Sequence, residues 1–248
     1  MNAIARIASL VALLVVWQVA ALQSTPRYLP APAAVFASIA SEAQSGALFS
    51  NLAATLARVL AAFVIAMALG SALGIAMGRR RGFDAIADPW IVVLLNLPAL
   101  VIIVLAYIWA GLTEAAAVGA VALNKLPNTV VTLREGARTL DASLDEMALA
   151  FRMPLKTRVR HILLPQLAPY FAAATRSGLS LVWKIVLVVE FMGRPNGVGF
   201  EIGTAFQLFD VKLLLAYTIP FVCVMLAIET IVVQPIERRV SRWRPRPA

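Results

Sequence analysis

The sequence predicts an all-α membrane protein with six transmembrane helices, and two observations lead to this fold class. Of its 248 residues, 61% are hydrophobic and only 14% are charged, and the mean hydropathy is +0.84. A soluble domain of this size has roughly a quarter charged residues. Six apolar stretches each approach the ~20 residues that a helix needs to cross ~30 Å of hydrocarbon. They lie at about 4–22, 52–78, 89–111, 113–133, 167–191 and 212–235.

The net charge of +9 follows the predicted membrane topology. Lys and Arg collect in alternate loops, as they do in cytoplasmic segments. With both termini in the cytoplasm, fifteen of them lie inside, at residue 6 and within 79–81, 134–160 and 238–246. Only Arg27, Arg194 and Lys212 fall outside. We therefore expect the charge to contact membrane lipid, and we expect no nucleic-acid partner.

The first apolar stretch has two interpretations. Arg6, an apolar core and the small residues Ala20 and Ala21 are typical of a secretory signal peptide as well as of a membrane anchor. Cleavage would leave five helices with unchanged orientation. We expect the segment to be retained as an anchor.

Two glycine and proline patterns indicate how the spans pack. Gly70, Gly74 and Gly78 recur every four residues, which is typical of a face where helices approach closely in lipid. Pro98 and Pro127 lie within the third and fourth stretches. We expect breaks there, in segments that face protein or a cavity.

Residues that support metal or disulfide chemistry are scarce. The single cysteine, Cys223, lies in the sixth apolar stretch and excludes an intrachain disulfide and a cysteine metal cluster. His161, the only histidine, lies in a basic loop, where a solvated or interface role is expected. We predict no catalytic or metal-ligating residue.

A charged stretch between the fourth and fifth spans, at about 138–166, is long for a connector. One helical stripe collects its apolar residues Leu140, Leu144, Met147, Ala148 and Phe151. Either Ser143 with Glu146, as a capping box, or Asp141 can begin this helix. The pattern fits a partner protein or an amphipathic helix lying on lipid headgroups.

Two prolines punctuate this stretch. Pro154 is predicted to end the first short helix and to begin a second that runs to about Leu163. Pro165 is predicted to end the second helix before the fifth span. Lys156, Arg158 and Arg160 form a basic flank.

The stretch resembles the loop of permease subunits of binding-protein-dependent ABC importers. Their pattern is Glu-Ala-Ala, three residues, Gly, nine residues, Ile, one residue, Leu-Pro. Glu146, Ala148, Ile162, Leu164 and Pro165 are in register, Met147 replaces an alanine, and Arg152 stands in place of the glycine. Four other segments are similar to the nitrate, sulfonate and taurine branch: "LPAPAAVFASI", "TLARVLAAF", "VWKIVLVVEFMGRPNGVGFEI" and "IERRVSRW".

The resemblance implies a type I importer permease (MetI-like) fold, one permease domain over 1–248 with a coupling loop at about 138–166 and external loops at about 23–51 and 192–211. It implies that the loop docks in a groove of a cytoplasmic ATPase. Phe151 and Met147 would supply buried contact, and Glu146 with the basic flank would orient it. The implied coupling residues are Glu146, Met147, Ala148, Phe151, Arg152, Ile162, Leu164 and Pro165.

The resemblance also implies partners and a location. The partners are a second permease copy, two ATPase subunits that hold ATP and Mg, and a periplasmic solute-binding protein. The location is a bacterial inner membrane. The chain has no GxxxxGK[ST] phosphate loop, so we expect ATP to be bound and hydrolysed on another subunit. Expected cargoes are small anions such as sulfonates, taurine or nitrate, although some relatives carry neutral or cationic vitamin precursors.

Ionisable residues in or near the spans are functional candidates, because a central charge costs roughly 2.5 to 3.5 kcal/mol on insertion scales. They are Arg58, Lys125, Arg176, Lys184, Glu190 and Glu229. Similar depth predicts a structural pair between Arg176 and Glu229. In the resembled family the fifth helix lines the pathway, so Lys184 and Glu190 are pathway candidates. Alternatively, Lys184 pairs with Glu190 or with a backbone carbonyl.

The segment "GRPNGVGFEI" is predicted to be an irregular loop, because it contains three glycines and a proline. The resemblance places such a loop near the outer mouth of the pathway. The implied gate residues are Asn196, Gly197, Val198, Gly199 and Phe200. An ordinary connector is the alternative.

Two other function classes compete with the importer permease. A secondary transporter would work without ATPase subunits. An intramembrane enzyme would need polar catalytic groups that converge within the bilayer, and the only histidine lies in a loop.

Overall fold

The computed structural model describes residues 3–25 and 28–235, without the side chains at positions 3, 4, 6, 7 and 10. The side chain of Arg6, together with Arg27 and the "IERRVSRW" tail, lies outside this description. The described residues form α-helices and two π-helical turns and contain no strand, which confirms the all-α prediction.

Eleven α-helices follow one another along the described chain. The first six are α1 Ala3–Gln23, α2 Pro32–Gln44, α3 Ala47–Arg79, α4 Arg81–Asn96, α5 Ala99–Ala110 and α6 Glu114–Arg138. The others are α7 Ala142–Ala150, α8 Leu155–Arg158, α9 Leu164–Gly193, α10 Val198–Gln207 and α11 Val211–Ile228. A π-helical turn at Val159–Leu163 joins α8 to α9, and another at Glu229–Val233 extends α11.

Three helices in the described residues are long and apolar enough to span a membrane: α3, the continuous helix Leu155–Gly193, and Val211–Val233. A fourth span is counted if α4 and α5 form one broken span, with an angle of 99° between the two helices. The bend lies at Leu97 and Pro98, whose extended backbone confirms the break predicted at Pro98. The prediction of six spans is not confirmed, because polar residues reduce the hydropathy of α6 and the described apolar part of α1 is short.

The chain divides into two compact units. The first comprises residues 1–57 and 187–226, and the second comprises 58–186 and 227–248. Helices α3, α9 and α11 contribute residues to both units.

Within the second unit, α3 packs closely on α6, as the glycine spacing predicted. A Cβ on Gly74 would lie 2.5 Å from the Val130 carbonyl oxygen, and one on Gly78 would lie 2.6 Å from the Ala137 Cβ. Any side chain at these positions would push the helices apart. The buried side chains of Met77, Ile91 and Val130 pack beside this contact and join α4 to it.

Helix α6 runs through Pro127 without a break, contrary to the prediction. Pro127 and Lys125 are buried, so the prediction that this segment faces protein is confirmed. Lys125 Nζ donates to the Ala174 carbonyl of α9 over 3.1 Å, and its side chain lies against Gly178. The packing of α9 on α6 holds the helix straight where the proline removes one backbone donor.

The prediction that Pro165 ends the second short helix is wrong, because the helix continues from Leu155 to Gly193. The π-helical turn at Val159–Leu163 directly precedes the proline, and the Leu164 N–H donates to the Val159 carbonyl five residues back. This wider turn shifts the hydrogen-bond register just before a residue without an N–H group. The predicted fifth span and the end of the predicted coupling loop therefore belong to one continuous helix that begins at Leu155.

Candidate functional site

The predicted coupling loop begins with a side-chain cap on α7. The Asp141 carboxylate accepts hydrogen bonds from the Ser143 N–H (2.8 Å) and the Ser143 hydroxyl (2.7 Å). These bonds favour the ionised form and lower the pKa of Asp141. Asp141 is therefore the cap, and Glu146 is left exposed, with no side-chain partner among the described residues.

Arg152 ends α7 in a left-handed conformation, with φ of +48°. The Met153 N–H donates to the Ala148 carbonyl (2.9 Å), and the Arg152 N–H donates to the Leu149 carbonyl (3.0 Å). This pair of bonds is a Schellman motif, which favours glycine at the left-handed position. Arg152 thus adopts the left-handed conformation that favours glycine, the residue that the importer pattern has at this position. Pro154 then precedes α8.

The predicted apolar stripe of α7 divides between two surroundings. Ala148, which belongs to the stripe, is 2% exposed. Ile162, which lies outside α7 in the π-helical turn, is also buried. In contrast, Met147 is 38% exposed and Phe151 is 74% exposed. Leu149 and Leu155, which the stripe did not include, are 65% and 75% exposed. Large apolar side chains beside the turn in a charged loop were the signal that could have identified them.

Asp145 lies between two arginines. Its carboxylate is 2.7 Å from Arg79 Nη2, at the end of α3, and 2.9 Å from Arg158 Nη2 in α8. Arg158 therefore belongs to an ion pair, whereas Lys156 and Arg160 of the predicted basic flank are exposed. Asp145 was not predicted as a functional residue, because Arg79 lies 66 residues away in sequence.

In the first unit, three consecutive N–H groups in the predicted gate donate to side-chain oxygens. Gly197 N donates to Asn51 Oδ1 (2.8 Å), Val198 N to Thr55 Oγ1 (2.9 Å) and Gly199 N to Glu190 Oε2 (2.9 Å). Thr55 Oγ1 also donates to Glu190 Oε2 over 2.9 Å. A fully buried carboxylate and two neutral side chains therefore hold this segment.

The predicted irregular loop is only partly correct. Residues Arg194–Gly197 are non-helical, but α10 begins at Val198, so Val198, Gly199 and Phe200 are helical. The amides that Thr55 and Glu190 bind are the free N–H groups at the start of this helix. A carboxylate at a helix N-terminus is electrostatically favourable, which explains why a helix forms here despite the glycines.

The glycines of the gate segment provide space for the buried carboxylate. Gly197 has φ of +111°, and a Cβ at this position would collide with the carboxylate of Glu190. A Cβ on Gly199 would collide with the Leu187 carbonyl. Both glycines are therefore required for close approach of the backbone to α9.

A second polar group lies next to this segment. Asn51 Nδ2 donates to Glu201 Oε1 (3.0 Å), and the Tyr217 hydroxyl donates to Glu42 Oε2 (2.8 Å). Desolvation, and to a smaller extent the charge of Glu42, raise the pKa of Glu201. Sequence patterns did not identify this group, because its members come from four separate helices.

The other predicted residues occupy varied surroundings. Lys184 is exposed and has no hydrogen-bond or ion-pair partner among the described residues. Asn196 is exposed, whereas Glu190 is fully buried. Arg176 is exposed and Glu229 is half-buried, and their pairing stays a prediction.

Comparison with known proteins identifies the chain. Residues 66–242 match the family of binding-protein-dependent transport system inner membrane components. The chain belongs to this family. Within it, the chain is 30% identical over 237 residues to the aliphatic sulfonates transport permease protein of Escherichia coli, covering 95% of this chain and 90% of that relative. The aliphatic sulfonates transport permease protein of Bacillus subtilis is 27% identical over 63% of this chain and 56% of its own length.

A solved structure agrees with the fold of this family member. The crystal structure of an amino acid ABC transporter with histidines is similar to it with a TM-score of 0.57. The match covers 82% of this chain and 95% of the other, at 19% identity. The type I importer permease fold is thereby confirmed.

The chain is a multi-pass permease subunit of a binding-protein-dependent ABC importer. It is not an enzyme, since ATP hydrolysis in the family occurs on a separate subunit. Its partners are therefore an ATPase and a solute-binding protein. The predicted function is confirmed over the secondary transporter and the intramembrane enzyme.

The left-handed turn predicts the effect of restoring glycine at position 152. We expect Arg152→Gly to raise stability by about 1 kcal/mol, because a residue with a Cβ is strained in this conformation. Thermal unfolding of the purified permease in detergent measures the change. Arg160→Gly is the matched control and should lower stability, because glycine destabilises a helix interior. An unchanged or lower melting temperature for Arg152→Gly would contradict the role of strain.

The bonds of the gate segment predict a selective effect at Thr55. We expect Thr55→Val to lower stability by about 1 to 3 kcal/mol, because the buried Val198 N–H loses its acceptor. Amide exchange at Gly197, Val198 and Gly199 should rise. Thr55→Ser keeps the hydroxyl and is the control. Equal exchange in the Val and Ser variants would exclude this role of the hydroxyl.

Proposed function

We propose that this permease moves an aliphatic sulfonate or a related small anion, such as taurine or nitrate, by alternating access. Two relatives are named as aliphatic sulfonates transport permeases, and one of them matches nearly the whole chain. Lys184 supports an anionic cargo, because it is an exposed cation without a partner among the described residues. We assign it to the translocation path.

We also propose the composition of the complete importer. Two copies of this chain form the membrane pore and bind two cytoplasmic ATPase subunits, which hold ATP and Mg. A periplasmic binding protein delivers the solute, and lipid of a bacterial inner membrane surrounds the pore. Both termini lie in the cytoplasm, which agrees with fifteen basic residues in the segments assigned to that side.

The observation that carries the coupling role is that the loop leaves several large apolar side chains exposed, namely those of Met147, Leu149, Phe151 and Leu155. Apolar side chains of this size are costly to leave in water, and the loop continues directly into a membrane-spanning helix. A groove on the ATPase would bury them. Glu146 precedes Met147 on α7 as an exposed charge that would orient the docked loop.

The remaining coupling residues have supporting roles in this proposal. Ala148 and Ile162 are buried against their own chain, so they fix the shape of the loop. Arg152 sets the turn that presents Phe151. Leu164 and Pro165 are exposed at the beginning of α9, where they would extend the contact surface.

On the outer side, we propose that Asn196, Gly197, Val198, Gly199 and Phe200 form a gate. Buried hydrogen bonds hold its middle three residues, and Asn196 is exposed. Glu190 would serve the pathway indirectly, by holding the gate rather than by meeting the solute. Arg176 and Glu229 are proposed as a structural pair.

Docking predicts that Phe151→Ser will reduce co-purification of the ATPase with the permease. We expect an affinity loss of about ten- to thirtyfold, the effect of truncating a buried aromatic anchor. Glu146→Arg should also weaken binding, because it reverses an orienting charge. Phe83→Ser, at an exposed phenylalanine near the start of α4, is the control. Normal ATPase binding and normal uptake in both loop variants would refute the coupling role.

The cargo is tested by uptake of ethanesulfonate into proteoliposomes that contain the complete importer and its binding protein. We expect ATP-dependent uptake in the native importer. Lys184→Met should lower its rate about tenfold or more, because a charge-assisted contact is lost. Lys212→Met is the control. Absence of ethanesulfonate uptake in the native importer would contradict the sulfonate assignment, and unchanged uptake in Lys184→Met would exclude its pathway role.

A further inference from the structure

Two adjacent carboxylates on α7 have opposite surroundings. Glu146 is exposed and has no side-chain partner among the described residues, whereas Asp145 is partly buried between Arg79 and Arg158. A single acidic pair therefore offers one charge to an external partner and one to the rest of the permease. The proposed function uses only the first.

We propose that Asp145 is a positioning residue that links the coupling loop to the end of α3, so that displacement of α7 by the ATPase is transmitted through Arg79. The proposal rests on the docking of the loop described above. It assigns to Asp145 the transmission of movement and leaves the binding of the ATPase to Glu146 and the exposed apolar side chains of the loop.

The geometry suits a link between helices. Asp145 Oδ2 is 2.7 Å from Arg79 Nη2, whereas Oδ1 is 2.9 Å from Arg158 Nη2 and 3.2 Å from Arg158 Nε. Each carboxylate oxygen thus contacts a different arginine. An isolated surface ion pair contributes little. Arg79 is exposed, but Asp145 and Arg158 are half-buried, and a carboxylate held by two guanidinium groups has a fixed geometry.

The position of Arg79 gives the link a direction. Arg79 is the last residue of α3 and directly follows Gly78, where the α3 backbone lies against α6. This packing restricts the position of the Arg79 backbone. A displacement of the Arg79 side chain would therefore move the end of α3.

Other contacts hold α7 in place when Asp145 is neutralised. The Asp141 N–H donates to Gln166 Oε1 of α9 (2.9 Å), and Ala148 remains buried. The Schellman turn uses only backbone groups. Asp145→Asn should therefore leave the loop folded and able to bind the ATPase, while its connection to α3 is weakened.

The test is hydrogen–deuterium exchange of the complete importer in lipid nanodiscs, with and without ATP and vanadate. In the native importer, we expect trapping to change exchange in α7 and in residues 76–80. In Asp145→Asn, the change in α7 should persist, and the change in protection factor at 76–80 should be smaller by about two- to thirtyfold, the range of coupling effects measured for residues between sites.

Matched variants separate the link from general damage. Arg79→Gln breaks the same ion pair from α3 and should reproduce the loss. The double variant should show no greater loss at 76–80 than either single variant, because the ion pair between Asp145 and Arg79 is already absent in each of them. Arg80→Gln removes a neighbouring exposed arginine that has no side-chain partner among the described residues, and it should behave like the native protein.

Each outcome decides a different claim. A native-size change at 76–80 in Asp145→Asn or Arg79→Gln would overturn the link while leaving the docking intact. Additive losses in the double variant would also overturn it, because the two residues would then act separately. If trapping leaves α7 unchanged in the native importer, the docking itself fails, and the link fails with it.

Discussion

The position of α7 in the proposed coupling loop depends on the close contact between α3 and α6. Gly74 and Gly78 let the α3 backbone approach Val130 and Ala137 without an intervening side chain. This approach fixes the end of α3, where Arg79 pairs with Asp145 of α7. The small residues therefore determine the geometry of a polar site that follows them in the chain. In lipid, where apolar surface gains little from burial, such backbone contact is a main source of helix association.

In the proposed gate segment, too, glycines let the backbone approach closely and a charged side chain lies at the contact. Glu190 can be fully buried because Thr55 and the Gly199 amide supply hydrogen bonds to its carboxylate. Gly197 and Gly199 let the backbone come close enough to do so. A buried carboxylate without such donors would cost several kcal/mol. The glycines that suggested an irregular loop are thus the reason that an ordered helix start forms there.

Local sequence signals predicted the short helices of the loop and three proline breaks, but two of the predicted breaks are absent from the structure. Asp141 was one of two predicted caps, and the position of Pro154 between α7 and α8 was predicted correctly. The break at Pro98 was also correct, whereas Pro127 and Pro165 do not interrupt their helices. A proline breaks a helix only when neighbouring packing or a π-helical turn does not accommodate the missing donor. The sequence shows where a proline lies, but it does not show whether neighbouring packing or a π-helical turn allows the helix to continue through it.

The sequence by itself determined the all-α class, the membrane location and the permease family, because composition, hydrophobic length and motif order are properties of the chain alone. It also predicted where a coupling segment and a gate segment lie. Only the tertiary structure decided which side chains in these segments face inward. Asp145 and Glu146 are equivalent in charge and adjacent in sequence, and they differ because Arg79, distant in the chain, reaches only one of them. Likewise, Asn51 and Thr55 became gate contacts because folding brings α3 beside residues 197 and 198.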